Sequence, residues 1–408
     1  MGLRSQRRRR ALVAGGSMAG LFAGLALRSK GWDVTIYERN DVALAGRGAG
    51  IVTHTALVRA LEAVGADPKT DLGVHVACRR EFAPDGKALR ELPFPQVNTS
   101  WDRLFQLLRP LFPDADYRLG KEVIAASGDA NVAALRFADG TEDEADLIVA
   151  ADGIRSAIRQ IVFPDVAPQF AGYVAWRGLV DESALSPAAK AGLFDCFSFG
   201  LPEGEQFIGY PVAGPHNDLR AGNRRLNFVW YRPADATKLA RLLTDSSGKS
   251  HPLGIPPPLI RPEYITETRV AARHTLAPVL AEAVDKTSAL FFQPIVDLSV
   301  PAMTARRVAI IGDAAFVARP HVGAGVTKAA EDALELAGCL ESEASLPDAL
   351  AAFDADRHPV GLRIIDQARR LGAYMQAQHA TAEERQAAER HRSPDAVMRE
   401  TASLEFLR

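Results

Sequence analysis

The segment that most constrains the fold is the glycine-rich stretch LVAGGSMAGL at residues 12–21. Residues 11–14 predict a short buried strand, residues 18–30 carry apolar side chains at helical spacing, and residues 33–38 alternate as a second strand. A strand, a glycine turn, a helix and a strand in this order begin a dinucleotide-binding unit. The sequence therefore predicts an α/β protein with a Rossmann-like sheet near its N-terminus.

The turn has serine at the middle position of the usual G-x-G-x-x-G motif. Gly15 is expected to make the tight turn and Gly20 to let the helix approach closely, while Ser17 adds only a hydroxymethyl group and is a good helix N-cap. Pyrophosphate would then bind the helix N-terminus next to Met18 and Ala19. A glycine turn without a ligand is the alternative.

Glu38 ends the second strand, close to the spacing at which an acidic residue binds the adenosine ribose in such units. A carboxylate at this place accepts hydrogen bonds from the ribose hydroxyls and repels a 2′-phosphate. The predicted ligand of this unit is therefore FAD or NAD and not NADP.

Two further buried strands end in acidic turns. Residues 146–151 lead into Asp152-Gly153, and residues 307–311 lead into Gly312-Asp313, which a glycine-rich segment and a helix follow at residues 319–340. Open α/β sheets bind ligands at the carboxyl ends of their strands. We therefore expect these residues to surround the same site as the glycine turn.

Residues 163–292 change to alternating patterns at 172–180, 194–200, 206–212 and 226–231, which predict a mostly antiparallel sheet. Its aromatic side chains either form ordinary core or wall a flat pocket for an aromatic ring. His321 is a candidate general base beside the glycine-rich helix start, with a structural role as the alternative. Tyr210 is a candidate contact for a substrate hydroxyl.

Composition restricts the class of protein. The 408 residues are 47% hydrophobic and 24% charged with a net charge of −2, which is typical of a globular protein and gives no indication of nucleic-acid binding. The three cysteines lack C-x-x-C spacing, which argues against a disulfide scaffold or a redox dithiol and favours a reducing cytoplasm. No histidines have metal-ligand spacing, and no apolar run is long enough to span a membrane. We expect a cytoplasmic protein without a metal site.

Together these motifs resemble the group A FAD-dependent aromatic hydroxylases, the family that includes para-hydroxybenzoate hydroxylase, in the expected order from residue 12 to residue 372. The resemblance implies non-covalent FAD, with its adenosine at Glu38 and Arg39, its ribityl chain at Asp313, and Asp152-Gly153 near both FAD and the pyridine nucleotide. It also implies that the flavin lies against a loop and a helix start that contain Arg47, Gly50, Ile51, Val52, Pro320, Gly323, Ala324, Gly325 and Val326. Pro320 joins His321 and Tyr210 as a catalytic candidate.

A closer resemblance is carried by short stretches at residues 173–178, 210–212, 224–231 and 319–321, together with Ser17 and Lys328. They are most similar to 2,6-dihydroxypyridine 3-hydroxylase, a member of that family. This chain differs from many members of the family at two positions: it has Phe316 where they have a histidine and Trp101 where they have an arginine.

The activity that the resemblance implies is hydroxylation of a small activated ring, of the hydroxypyridine or hydroxybenzoate type, with NAD(P)H and O₂ through a flavin hydroperoxide, as in aromatic catabolism. NAD(P)H would bind transiently, since there is no second glycine motif, and Arg47 and Arg155 are candidate phosphate contacts. The alternatives are another FAD-dependent oxidoreductase, such as an epoxidase or double-bond reductase, a simple NAD-dependent dehydrogenase, and a non-catalytic flavin-binding protein.

We expect a discontinuous FAD-binding domain at residues 1–75, 100–165 and 295–372, a substrate-binding sheet domain at 76–99 and 166–294, and a helical tail at 373–408. The tail beyond about residue 380 is rich in Glu, Arg and Ala and predicts a solvated helix that packs on a partner subunit. The family resemblance implies a homodimer.

Overall fold

The computed structural model describes residues 8–42, 44, 50–68, 71–129, 131–252, 254–375, 382, 386 and 389–407. The strands within these residues are β1 (Arg10–Ala14), β2 (Asp33–Tyr37), β3 (Gly50–Val52), β4 (Val74–Phe82), β5 (Ala88–Ser100), β6 (Tyr117–Arg118), β7 (Val123–Gly128), β8 (Ala133–Phe137), β9 (Glu142–Ala145), β10 (Leu147–Ala150), β11 (Gln169–Asp181), β12 (Cys196–Gly200), β13 (Gln206–Val212), β14 (Arg225–Pro233), β15 (Phe291–Ser299), β16 (Thr304–Ala305), β17 (Val308–Ile310) and β18 (Phe316–Val317).

The α-helices within the same residues are α1 (Met18–Ser29), α2 (Thr55–Ala63), α3 (Trp101–Leu108), α4 (Ala157–Val162), α5 (Pro187–Leu193), α6 (Ala236–Leu242), α7 (Pro262–Thr275), α8 (Pro278–Lys286), α9 (Gly325–Ser342), α10 (Leu346–Gly372) and α11 (Pro394–Glu400). No helix of the described residues is both long and apolar enough to cross a membrane.

A six-stranded sheet in the order β16-β17-β10-β1-β2-β6 forms the Rossmann-like part of the protein. All its pairings are parallel except that of β16 with β17. Residues 11–14 of β1 are fully buried, as expected for a central parallel strand that is covered on both faces. Helix α1 and an antiparallel three-stranded sheet, β7-β8-β9, both pack against β1 and β10. The predicted Rossmann-like α/β architecture is confirmed.

A nine-stranded sheet in the order β18-β15-β11-β14-β13-β12-β4-β5-β3 forms the second layer. It is antiparallel except for the pairing of β12 with β4. One face packs against α7 and α8 in an apolar cluster that includes Trp176, Phe228 and Trp230. Alternate residues of the same strands, among them Tyr173 and Tyr231, belong to a separate cluster on the other face. The predicted antiparallel sheet is confirmed.

The expectation against a disulfide is wrong for one pair of cysteines. Cys78 and Cys196 lie opposite each other on the parallel strands β4 and β12, with Cα atoms 4.7 Å apart, and they form a disulfide. The two residues are 118 positions apart in the chain, and only the pairing of these strands brings them together. Cys339 is buried and free.

The expectation of a solvated C-terminal helix is also wrong for residues 389–407. Val397 and Met398 on α11, and Thr401 and Ala402 after it, are buried against the chain's own nine-stranded sheet and helix α10. The high content of Glu, Arg and Ala concealed a short apolar stripe on α11, because that helix has only seven residues.

Candidate active site

A cleft of about 290 Å³ opens at the carboxyl ends of β1, β2 and β10. The structure brings together at this cleft six of the residues singled out from the sequence, namely Gly15, Ser17, Glu38, Arg39, Asp152 and Gly153. Arg155 also lines it, as does Trp101, which stacks on Phe105 with ring centroids 4.9 Å apart. Trp101 therefore contributes an apolar wall at the position where many relatives have arginine.

The glycine turn is built so that side chains cannot enter it. Gly15 has a φ of +104°, and a Cβ atom there would overlap the carbonyl oxygen of Ala151. A Cβ atom at Gly20 would overlap the carbonyl oxygen of Gly15. The first turn of α1, with Met18 buried and Ala19 beside Gly312, is thereby held against the ends of β1 and β10.

Ser17 occupies the N-cap position of α1, but its side chain makes no capping hydrogen bond. The prediction that this hydroxyl caps the helix is therefore wrong. The residue lines the cleft instead, so that the backbone N–H groups at the helix start are left for a ligand.

Glu38 is buried at the end of β2 and contacts the glycine turn directly. One carboxylate oxygen accepts a hydrogen bond from the Gly16 N–H at 2.9 Å, and the other accepts from the backbone N–H of Asn40 at 3.0 Å. The Tyr117 hydroxyl donates to the Gly16 carbonyl at 2.7 Å. The oxygen bonded to Asn40 also accepts from the Asn40 side-chain amide, so these bonds fix the carboxylate at the edge of the cleft and leave the other oxygen a further lone pair for a ligand hydroxyl.

Asp152 and Gly153 form the turn after β10. One oxygen of Asp152 accepts a hydrogen bond at 2.9 Å from the N–H of Ala157, the first residue of α4, whose N-cap is Ser156. Its other oxygen is buried and has no partner among the described residues. Burial raises the pKa of this carboxyl. Gly153 has a φ of +75°, which favours glycine.

Gly312 and Asp313 follow β17, and buried charged side chains of α9 and α10 hold this turn in place. The Lys328 ammonium donates to the Gly312 carbonyl at 2.6 Å, and Asp332 accepts from the Gly312 N–H at 3.1 Å and from the Arg357 Nε at 2.9 Å. The Asp313 side chain itself is exposed to solvent.

The glycine-rich segment after β18 turns twice before α9 begins. Pro320 to Val322 form a 3₁₀ turn, Gly323 has a left-handed φ of +65°, and α9 begins at Gly325. Ala324 is buried, Val326 is half-buried, and Pro320 is exposed. The segment therefore presents the N-terminus of an 18-residue helix next to the Gly312-Asp313 turn.

His321 lies in a cluster of aromatic rings. Its Nε2 is 2.8 Å from the Tyr173 hydroxyl, and its ring centroid is 4.2 Å from that of Tyr231. Nδ1 is buried and has no partner among the described residues. Burial and the nearby Arg319 lower the pKa of His321 to about 3, so that the ring is neutral at neutral pH.

The lowered pKa of His321 predicts an acid-dependent loss of stability. In the unfolded chain the histidine has an ordinary pKa near 6.5, so as the pH falls it binds a proton in the unfolded state before it does so in the folded state. Its contribution to the free energy of unfolding is therefore fully present above pH 6.5 and is lost progressively as the pH falls to about 3. When the pH falls from about 7 to about 5, we expect the free energy of unfolding to decrease by about 2 kcal/mol less in His321→Gln than in the unmodified protein. Urea unfolding at the two pH values measures this difference.

The matched control for this prediction is His274→Gln, because His274 is exposed on α7. It should retain the pH dependence of the unmodified protein. Some dependence should also persist in His321→Gln, since burial lowers the pKa of His54 to about 4. Equal losses in all three proteins would contradict the prediction.

The Tyr210 ring on β13 contacts the short edge strand β3, although three strands separate the two in the order of the sheet. The Gly50 N–H donates to the Asn227 side-chain oxygen at 3.0 Å, and a Cβ atom at Gly50 would lie 2.5 Å from the Tyr210 ring. Ile51 is half-buried and Val52 is buried. Burial raises the pKa of Tyr210 to about 12. Arg47, which was predicted to contact the cofactor, lies outside the described residues.

Sequence reasoning included Tyr173 among the aromatic residues of the sheet but missed its pairing with His321, and it missed Asp297 and Arg79 altogether. Tyr173 is the hydrogen-bond partner of His321, and the alternation of β11 could have placed it on the same face as Ala175. Asp297 forms a buried ion pair with Arg319 at 2.8 Å, and Arg79 is a fully buried arginine on β4. No sequence pattern indicates these last two, because their surroundings come from distant parts of the chain.

Comparisons with known proteins agree with this geometry. A family model described as FAD binding domain-like matches residues 170–297. The chain is 31% identical to 2,6-dihydroxypyridine 3-monooxygenase of Paenarthrobacter nicotinovorans over 90% of this chain and 91% of that protein. It is 30% identical to aurachin C monooxygenase/isomerase of Stigmatella aurantiaca over 85% and 84% of the two chains.

A solved structure, 2,6-dihydroxypyridine-3-hydroxylase from Arthrobacter nicotinovorans, superposes with a TM-score of 0.85 at 31% identity. The superposition covers 91% of this chain and 94% of that one. The similarity thus extends over both sheets and includes the cleft at the carboxyl ends of β1, β2 and β10. The chain belongs to the family of FAD-dependent aromatic-ring hydroxylases.

Proposed function

We propose that this protein binds FAD and hydroxylates a small activated aromatic or N-heteroaromatic ring, of the hydroxypyridine or hydroxybenzoate type, with NAD(P)H and O₂. One observation carries the proposal. The turn before α9 contacts the aromatic face of the nine-stranded sheet, because His321 in that turn packs against Tyr173 and Tyr231. A cofactor in the cleft and a flat substrate on that face would therefore meet.

The residues of the cleft fit FAD. The turn between Gly15 and Gly20 leaves room for a pyrophosphate at a helix N-terminus, and the buried, unpartnered oxygen of Asp152 indicates a missing polar contact. Glu38 with Arg39 would hold the adenosine ribose. Asp313 would hold the ribityl chain. The helix start from Gly323 to Val326, with Pro320 before it, would hold the flavin ring.

When bound, FAD supplies hydride acceptance from NAD(P)H and the activation of O₂. The protein's own groups orient the substrate and manage its protons. Tyr210 stays protonated because its pKa is raised, so it can donate a hydrogen bond to a ring oxygen. His321 is neutral and, next to Tyr173, can hydrogen-bond a ring hydroxyl and orient the ring, but a pKa of about 3 makes it too weak a base to remove the proton of that hydroxyl. The N-terminus of α9 stabilises negative charge that develops beside it.

Three further features belong to the proposal. The FAD-binding part comprises residues 1–75, 100–165 and 295–372, and the substrate part comprises residues 76–99 and 166–294, with a helical tail at 373–408. The protein acts in the cytoplasm, where NAD(P)H is available, and as a homodimer.

The test is a screen of NAD(P)H oxidation by the FAD-loaded protein with hydroxypyridines and hydroxybenzoates. We expect at least one ring compound to stimulate oxidation, with matching O₂ uptake and a product that has gained one oxygen atom. Oxidation without O₂ uptake would indicate a double-bond reductase instead. If FAD binds but no compound on the panel stimulates oxidation, the hydroxylase proposal fails.

A further inference from the structure

The segment at residues 389–407, here called the C-terminal strap, covers the aromatic face of the nine-stranded sheet. Val397, Met398 and Ala402 of the strap lie in the same apolar cluster as Tyr210 and Tyr231. Met398 and Val397 are almost completely buried. The strap follows the last residue of the family resemblance, so nothing in the motifs assigns it a role.

Arg79 fixes the middle of the strap to the sheet. Its guanidinium is fully buried and donates to the carbonyl oxygens of Met398 at 2.5 Å and Arg399 at 3.2 Å, in the last turn of α11. It also lies over the Phe94 ring at 3.7 Å. No carboxylate of the described residues forms an ion pair with it, and burial lowers its pKa to about 9. A helix C-terminus is a favourable partner for such a cation.

Three residues further along, the strap contacts the turn before α9. The Ala402 N–H donates to the His321 carbonyl at 2.7 Å. A Cβ atom at Gly323 would lie only 3.0 Å from the Ala402 Cβ. The strap therefore contacts both the aromatic face of the sheet and the turn that would hold the flavin ring.

We propose that the C-terminal strap is a wall of the substrate chamber and that Met398 and Ala402 determine the size of the ring that the enzyme accepts. The inference rests on the proposed function. Met398 contributes a flexible apolar side chain next to the aromatic rings, and Ala402 contributes the methyl group closest to Gly323. One methylene group in an apolar pocket changes the discrimination between substrates by about 10- to 200-fold.

The experiment compares Met398→Ala and Ala402→Gly with the unmodified protein on monocyclic and bicyclic hydroxylated rings. We expect kcat/KM for the bicyclic ring, relative to the monocyclic one, to rise at least about tenfold in Met398→Ala and by a smaller factor in Ala402→Gly. Ala402 has a φ of +52°, a conformation that glycine adopts readily, so this second variant is expected to fold. It decides the question if Met398→Ala does not fold.

Asp395→Ala is the matched control, because Asp395 is exposed on the same helix and its ion pair among the described residues is with the exposed Arg399. Its ratio of kcat/KM values should equal that of the unmodified protein. Binding of the ring compound in the absence of turnover, measured by the change in flavin absorbance, separates the two proposals. If the unmodified protein turns over no ring, the proposed function fails, and binding still tests the strap. If it hydroxylates a ring but both strap variants keep its ring preference, the strap inference is overturned.

Discussion

Gly20→Ala is expected to remove FAD binding from the purified protein. The added Cβ atom would overlap the carbonyl oxygen of Gly15, which is backbone and has no rotamer to change. Relief requires α1 to move away from the turn, which separates the helix N-terminus from the site where pyrophosphate would bind. We expect FAD affinity to fall at least about 100-fold, since the lost phosphate contacts are several charge-assisted hydrogen bonds.

Flavin absorbance after gel filtration measures the retained cofactor, and a titration with FAD measures the affinity. The matched control is Gly338→Ala, because Gly338 lies inside α9 and an added Cβ meets no atom within 4 Å. This control should bind FAD normally and be stabilised by about 0.5–1 kcal/mol, the usual gain for glycine to alanine in a helix. Retention of normal FAD affinity by a folded Gly20→Ala protein would contradict the assigned role of the turn.

Patterns with a strict period were predicted well from the sequence. Strand β13 begins and ends at the predicted residues, and α1 ends one residue before the predicted position. The residues at the cleft were also identified in advance, because the carboxyl ends of parallel strands meet at one edge whatever the remaining fold. Local patterns and a general rule of sheet topology were sufficient for both.

The wrong predictions concern contacts between distant segments. Cys78 and Cys196 meet because β4 and β12 pair, and no spacing in the sequence encodes that pairing. Ser17 has the residue type and the position of an N-cap, yet its hydroxyl makes no cap bond. The C-terminal strap is short and rich in charge, so two buried residues on one turn of α11 gave no periodic signal.

Asp332→Ala is expected to destabilise the protein by about 3–5 kcal/mol, because it leaves the buried Lys328 ammonium without its paired carboxylate. Asp332 is almost completely buried. Its carboxylate is 2.9 Å from the Arg357 Nε and 3.7 Å from the Lys328 Nζ, and it accepts the Gly312 N–H at 3.1 Å. Without it, the buried Lys328 ammonium and the Gly312 N–H lose their carboxylate partner, and Arg357 keeps only its ion pair with Glu331 at 3.6 Å among the described residues. Urea unfolding of the FAD-free protein measures the loss.

Asp366→Ala provides the comparison, because Asp366 forms an exposed ion pair with Arg370 one turn away on α10. Its loss should cost less than about 1 kcal/mol. A similarly small loss in Asp332→Ala would show that Lys328 and Arg357 find other partners. The same network holds the Gly312-Asp313 turn, so FAD should protect Asp332→Ala from unfolding less than it protects the unmodified protein. Stability and cofactor binding are coupled here because one buried carboxylate serves both.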